Sequence, residues 1–449
     1  MKYIRKFSTP EDREAYMAST PAPDMPYMHL VESTGEVKFS SPAVDYPLYI
    51  KPLENLTVKF GNTYEYSKDN VTWTSAISST SISATKGEMV FFRASGLTAS
   101  SSKGIGTFTI SNGDCYVGGN VMSMVYGADF KGKTEITQTY QFYRLFYSSS
   151  STGGRIVDAS GLALPATTLT NYCYAYMFNY QHKLTNAPVL PATIMQQYCY
   201  GYMFYGCSSL VNAPALPATT LANVCYYYMF YNCSSLINAP ALPATTLTTN
   251  CYGYMFYGCS SLVNAPVLPA TTLTYYCYGY MFYNCSSLIN APALPATTLA
   301  DYCYYYMFYN CSSLINAPAL PATTLADYCY QNMFYNCSSL ANAPALPATT
   351  LTYYCYGYMF YGCTSLVNAP ELPATTLKNN CYRNMFNGCT NLNYIKAMFT
   401  TTPSSTYTSN WVNGVSPTGT FVKNSAATWT DTFGVDAIPE GWTVETADA

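Results

Sequence analysis

With 449 residues the chain has room for two or three domains, and a formal net charge of −3 gives it no electrostatic reason to seek nucleic acid or an anionic membrane. Phosphate binding needs clustered cations, whereas residues 164–389 carry only Lys183, Asp301, Asp327, Glu371, Lys378 and Arg383 as charged side chains. No apolar run reaches the roughly 18 residues of a membrane span, so no membrane insertion is expected.

Residues 1–45 are polar and interrupted by Thr20-Pro21-Ala22-Pro23 and Met25-Pro26, which reads as an N-terminal arm or tether. After the basic start Met1-Lys2-Tyr3-Ile4-Arg5-Lys6-Phe7 come Thr9-Pro10-Glu11-Asp12 rather than an apolar core, so export by the general secretory route is not expected. Over 46–116 short alternating runs appear: Leu56-Val58-Phe60, Val71-Trp73, Met89-Phe91 and Phe108-Ile110. Turn-rich stretches such as Ser67-Lys68-Asp69-Asn70 and Lys86-Gly87 separate them, and the pattern predicts a small antiparallel β-sandwich-like domain.

Residues 117–163 read as an N-terminal cap, with Phe142-Tyr143-Arg144-Leu145-Phe146 as a degenerate copy of the motif that follows and a Ser-rich insertion from Ser148 to Gly154. From 164 to 391 one 26-residue unit recurs nine times without insertion: L-P-A-T-T-L-x-x-x-C-Y-x-x-M-F-x-x-C-S-S-L-x-N-A-P-x, with first cysteines from Cys173 to Cys381. Such a period means a solenoid, because each unit buries its apolar side only against its neighbours. Residues 392–449 begin a tenth turn at Leu392-Asn393-Tyr394-Ile395 that is not expected to complete, and then supply Trp411, Phe421, Trp429 and Trp442 for a C-terminal cap.

Within a unit, Leu-x-Asn-Ala predicts a short parallel strand bounded by prolines that lack an N–H. The stretch Leu221–Cys233 predicts a short helix: at 100° per residue Leu221, Cys225, Tyr226, Met229, Phe230 and Cys233 share one half-circle. The fold expected is therefore an α/β solenoid of nine strand-plus-helix units between two caps.

Seventeen of the eighteen cysteines belong to the repeat, eight residues apart within a unit. Cysteine packs well as a small hydrophobe, so buried free thiols are the favoured reading and ladder bridges between stacked units the alternative. No C-x-x-C pair exists and only His29 and His182 are present, so neither a metal nor another cofactor is expected. No G-x-S-x-G, H-E-x-x-H or Walker sequence occurs, and no catalytic residue is assigned. Asp301 and Asp327 occupy equivalent sites in adjacent units and read as a solvated coincidence rather than a catalytic pair.

The five outward positions per unit hold Tyr at 24 of 45 sites; a recognition surface is the favoured reading, and tyrosines that merely wet and pack the outside of a charge-poor solenoid while helping neighbouring helices touch are the alternative. Tyrosine offers a flat ring and a polar tip at low entropy cost, as binding surfaces require. The candidate ligand-binding residues are Tyr202, Tyr228, Tyr254, Tyr280, Tyr306, Tyr358, Tyr283 and Tyr309, whose rings are expected to stack on sugars or grip a protein. The Asn ladder, Asn186 to Asn368, reads as structural.

The unit resembles the BspA-like leucine-rich repeats of surface proteins from gut Bacteroidetes and their phages, with looser likeness in both flanks. That resemblance implies a right-handed leucine-rich-repeat solenoid and an adhesive role, with no catalytic residue to carry over. The N-terminal segment is similar to those of virion proteins from such phages. A phage tail, fibre or capsid-attached adhesin is therefore expected, a homo-oligomer held to other virion proteins through its N-terminal region and binding a host-surface glycan or protein. A bacterial cell-surface adhesin and a purely architectural decoration protein are the alternatives.

Overall fold

The computed structural model describes residues 45–148 and 153–447 in full, together with the backbone of three strands before them. Those strands are β1 (Ile4–Phe7), β2 (Met28–Val31) and β3 (Glu36–Phe39), with β2 parallel to β1 and antiparallel to β3. The rest of the arm expected over 1–45 lies outside the described residues, except Asp45.

Next come β4 (Leu48–Pro52), β5 (Leu56–Phe60), β6 (Tyr64–Ser67), β7 (Thr74–Ala76), β8 (Ile82–Ala84), β9 (Val90–Arg93), β10 (Phe108–Ser111) and β11 (Cys115–Asn120). A one-turn helix α1 (Ser123–Tyr126) and β12 (Ile156–Ala163) complete this region. The strands make two sheets, ordered β10-β5-β8 and β12-β11-β4-β9-β6-β7. Alternation drives the layering: Leu48, Ile50, Leu56, Val58 and Phe60 are buried while the residues between them are not. Phe92 on one sheet meets Phe108 on the other at 5.0 Å, ring edge to face.

One expected run is not a strand. Val71 is 80% exposed, because the Asp69 carboxylate accepts the Val71 and Thr72 N–H groups at 2.8 and 2.7 Å and folds the segment into a turn.

β11 is the hinge between the two architectures. It pairs antiparallel with β4 on one side and parallel with β12 on the other, so the first strand of the coil stack is laid on an edge strand of the sandwich. From there the units stack as a repeat solenoid. Cys225, Tyr226, Met229, Phe230, Cys233 and Leu236 and their equivalents, apart from Gln181 in the second-cysteine slot of the first unit, are 0–1% exposed, and they merge with the sandwich interior into one continuous core. Among the described residues no helix is long and apolar enough to cross a membrane.

The helix expected over Leu221–Cys233 does not form. The chain instead runs through successive turns in which every fourth residue is left-handed: Val224 (φ 56°), Tyr228 (φ 57°) and Asn232 (φ 55°) in that unit. Between them alternate N–H groups take different partners. Cys225, Tyr227, Met229, Tyr231 and Cys233 donate three residues back, to Ala222, Val224, Tyr226, Tyr228 and Phe230. Val224, Tyr226, Tyr228, Phe230 and Asn232 donate to the next unit, at Thr249, Cys251, Gly253, Met255 and Tyr257. A helix would have used those donors internally and left the coils held by side chains alone. Each left-handed non-glycine residue costs about 1–2 kcal/mol, offset by an inter-coil hydrogen bond worth about 0.5–1.5 kcal/mol and by ring stacking between units.

The parallel strand expected at Leu-x-Asn-Ala shrinks to one bridged residue per unit, as at Asn186↔Asn212, Asn212↔Asn238 and Asn238↔Asn264. The flanking prolines end the ladder on both sides. All eighteen cysteines are buried free thiols. The second cysteine of a unit donates its S–H to the Phe carbonyl of the preceding unit, Cys233 to Phe204 at 3.2 Å and Cys259 to Phe230 at 3.1 Å.

At the N-terminal end Phe142 and Phe146 occupy the Tyr and Phe slots, stacking on Tyr174 and Phe178 at 5.5 Å each. At the other end a tenth coil does complete, contrary to the sequence expectation. Asn384, Phe386 and Gly388 donate to Ser409, Trp411 and Asn413, and left-handed Asn410 and Gly414 continue the pattern. Buried Trp411 donates its Nε1–H to Ala437 at 2.8 Å. Strands β13 (Tyr394–Ala397), β14 (Thr420–Lys423) and β15 (Thr443–Thr446) then close the stack as a parallel sheet.

Candidate recognition surface

The left-handed turns decide where the variable residues point. In each unit two of the three left-handed positions, and the residue between turns, face outward, and in most units these hold tyrosine. Tyr176, Tyr202, Tyr228, Tyr254, Tyr280 and Tyr306 form one ladder with ring centroids 4.3–4.8 Å apart and planes within 12°. Tyr205, Tyr231, Tyr257, Tyr283, Tyr309, Tyr335 and Tyr361 form a second at 4.3–4.5 Å. A third, shorter ladder joins Tyr276, Tyr302, Tyr328 and Tyr354.

The structure thus unites seven of the eight candidate residues in two ladders, with Tyr358 standing apart. It also changes what they offer. Each ring is half-buried and its two faces are occupied by its neighbours, so within a ladder only ring edges and hydroxyls reach solvent. The expected stacking of sugars on ring faces is confined to places where a ladder ends or breaks. Glycine makes room for the rings: a Cβ on Gly279 would lie 2.5 Å from the Tyr276 ring.

Ring spacing also reveals a bend. Units related by translation alone would space every equivalent ring pair equally. Yet the buried Phe230–Phe256 and Tyr226–Tyr252 pairs lie 5.7 Å apart, against 4.5 Å for outward Tyr231–Tyr257 and 4.3 Å for Tyr228–Tyr254. The tyrosine face is therefore the inner side of the curve.

The ladder from Tyr176 breaks after Tyr306, where Asn332 replaces tyrosine, and resumes at Tyr358. A cavity of about 590 Å³ opens there, lined by Tyr305, Tyr306, Gln331, Asn332, Tyr358 and Arg383 among others. Gln331 and Asn332 are 8% and 3% exposed, and the buried Gln331 Oε1 has no hydrogen-bond partner. Arg383 donates Nε–H to the Tyr358 hydroxyl at 3.1 Å and Nη1–H to the Tyr354 hydroxyl at 3.3 Å. These phenols, Tyr358 foremost, hold its pKa above the ordinary guanidinium value. Gln331, Asn332 and Arg383 were not among the candidates read from sequence. The available signal was the interruption of the tyrosine column at 332, together with the one cation standing at an outward position of the array.

Asp301 and Asp327 do not face one another as a pair. Asp301 accepts the Asp327 N–H at 3.0 Å and Asp327 accepts the Tyr353 N–H at 2.9 Å, so each carboxylate caps the amide of the next coil. Desolvation raises the phenols of Tyr202, Tyr228, Tyr280 and Tyr306 above their ordinary value, and that of Tyr176 to about 12.

A family model described as "BspA type Leucine rich repeat region (6 copies)" matches residues 171–315 and 279–393. The coil stack is a BspA-type leucine-rich-repeat array. No curated protein matches the sequence. A solved structure titled "Crystal structure of TLR13-ssRNA13 complex" is similar at 11% identity over 63% of this chain and 46% of that chain, with a TM-score of 0.26. This chain thus spans less than half of that one, and nothing about ligand or partner follows from the likeness. The BspA-type array covers every outward tyrosine ladder described above, so the family suggests a surface repeat protein for the same segment that carries the candidate face.

Proposed function

We propose that the protein is a non-enzymatic adhesin that holds a host-surface glycan or protein along the inner, tyrosine-lined side of its BspA-type array. The observation that carries this reading is the pair of self-stacked ladders, six and seven rings long, which present a preordered rail of phenol edges and hydroxyls. Stacking has already removed the rotamer freedom that a partner would otherwise have to freeze, so contacts there cost little ordering entropy. Neutral phenols also suit a partner recognised by hydrogen bonds rather than by charge, in keeping with a face almost free of ionic side chains.

In this reading the N-terminal strands and sandwich attach the array to a phage particle as part of a homo-oligomeric tail, fibre or capsid appendage. That placement is supported only by the likeness of the N-terminal segment to virion proteins. Immunogold labelling of virions and of host cells tests it, and label confined to cells would move the protein to the bacterial surface.

The adhesive claim is tested by the double variant Tyr228→Asn, Tyr254→Asn. The chain already places asparagine at the equivalent positions Asn332 and Asn384, both left-handed, so the fold tolerates it. Retention of the full chain on a glycan array and on host-cell envelopes should fall at least tenfold, while loss of the stacked rings lowers the melting temperature and leaves the chain folded at the assay temperature. Undiminished retention would exclude the rail as the contact surface.

A further inference from the structure

The break in the first ladder sets Tyr306 and Tyr358 on either side of the gap at Asn332. Tyr306 keeps one face on Tyr280 at 4.7 Å and offers the other to the gap, while Tyr358 has no ladder partner at Asn332. Stacked units rise by roughly 5 Å, so these two rings stand roughly 10 Å apart, which leaves room for one flat ring in van der Waals contact with both. The cavity volume of about 590 Å³ lies in the range of small-molecule sites.

Its polar groups are those of a built site. The buried Gln331 Oε1 lacks a partner, an unfavourable state that an arriving donor relieves. Arg383 is fixed at Nε and Nη1 by Tyr358, Tyr354 and Asn380, which leaves the Nη2 donors aimed away from those bonds, and none of the ion pairs among the described residues includes it. A half-buried guanidinium without a carboxylate partner selects an anion, and a planar fork selects a carboxylate. The acids of the array, Asp301, Asp327 and Glu371, do not line the cavity: the first two accept amides of the next coil and Glu371 pairs with Lys396.

We propose that this slot binds a single carboxylate-bearing pyranose residue of a glycan. The sugar ring sits between Tyr306 and Tyr358, its carboxylate on Arg383, and a hydroxyl donates to Gln331. The inference rests on the adhesive reading of the array and names the sugar class taken at one point on it. Uronic and sialic acids share this chemistry, and the assay separates them.

The test is isothermal titration of the full chain with glucuronic acid, N-acetylneuraminic acid, glucose and a short poly-glutamate peptide. One or both acidic sugars should bind, and glucose and the peptide should bind at least tenfold more weakly. Asn332→Tyr refills the ladder with the residue that seven other units carry at that position, so it should fold as the parent does and abolish acidic-sugar binding. Arg383→Gln should weaken the acidic sugar at least tenfold while leaving any residual glucose binding unchanged. Absent binding to both acidic sugars, equal binding of glucose, preference for the peptide, or wild-type affinity in Asn332→Tyr would each overturn the proposal. Failure of the rail would show separately, as unchanged surface retention in the Tyr228→Asn, Tyr254→Asn variant.

Discussion

The sandwich and the coil array solve the same problem with different donors. In the sandwich, antiparallel strands such as β4, β9 and β11 exchange backbone bonds in both directions, and side chains alternate between a core and a wet face. In the array every second N–H crosses to the next unit and every other one folds back on its own turn. The sandwich therefore holds together as a sheet pair, while each coil depends on two neighbours and on thiols, methionines and rings repeated at one spacing. The difference teaches that stability in the array is a nearest-neighbour quantity, and that its outward rings are ordered by the same stacking that holds the coils.

The largest expected contrast is with alkali. Burial lifts the array thiols, with Cys251 and Cys303 rising from 9.0 to about 12, and an unfolded chain would release those protons near the lower value. Because the folded pKa is the higher one, the stabilisation is complete below pH 9.0 and is lost progressively as pH climbs toward about 12. The array should melt within that window while the sandwich, with Cys115 as its one thiol, persists to higher pH; tryptophan fluorescence from Trp411 against Trp73 would show two transitions. Simultaneous loss of both signals would mean that the two regions unfold together.

Next in size is Phe256→Ala, which removes one ring from the buried stack at 5.7 Å to Phe230 and Phe282 and should cost about 3–5 kcal/mol. Hydrogen exchange should accelerate in the flanking units and leave the amides around Phe92 protected. Equal acceleration everywhere would contradict nearest-neighbour stability.

Val224→Asn should act in the opposite direction. Valine is β-branched and sits at φ 56°, whereas asparagine visits that region readily, so a gain of about 1 kcal/mol is expected in denaturant unfolding. Smallest is Tyr252→Phe: its hydroxyl is buried without a partner, so its removal should change stability by less than about 1 kcal/mol or raise it slightly. A clear loss on that substitution would reveal a hydrogen bond to the phenol.

Much of this was legible beforehand. The period, the stacking and the inward set Cys225, Tyr226, Met229, Phe230 and Cys233 follow from residues that recur with identical spacing. The helix was misread because the 100° template and a spiral of four-residue turns place nearly the same residues inward over a dozen positions. A period of four rather than 3.6 was visible in the Cys-Tyr, Met-Phe, Cys spacing, and the Asn or Gly before each second cysteine, such as Gly206, Asn232 and Gly258, marked the left-handed turn.

By itself the amino-acid sequence determined that nine equal units must stack and which side chains each one buries, because a core residue answers to its own repeat and the next. Only the tertiary structure decided what the outward tyrosines present. Whether a ring shows its face or its edge depends on the residue 26 positions away and on the bend that brings the two together. The slot at Asn332 exists because one ring is missing from a stack whose geometry no single unit contains.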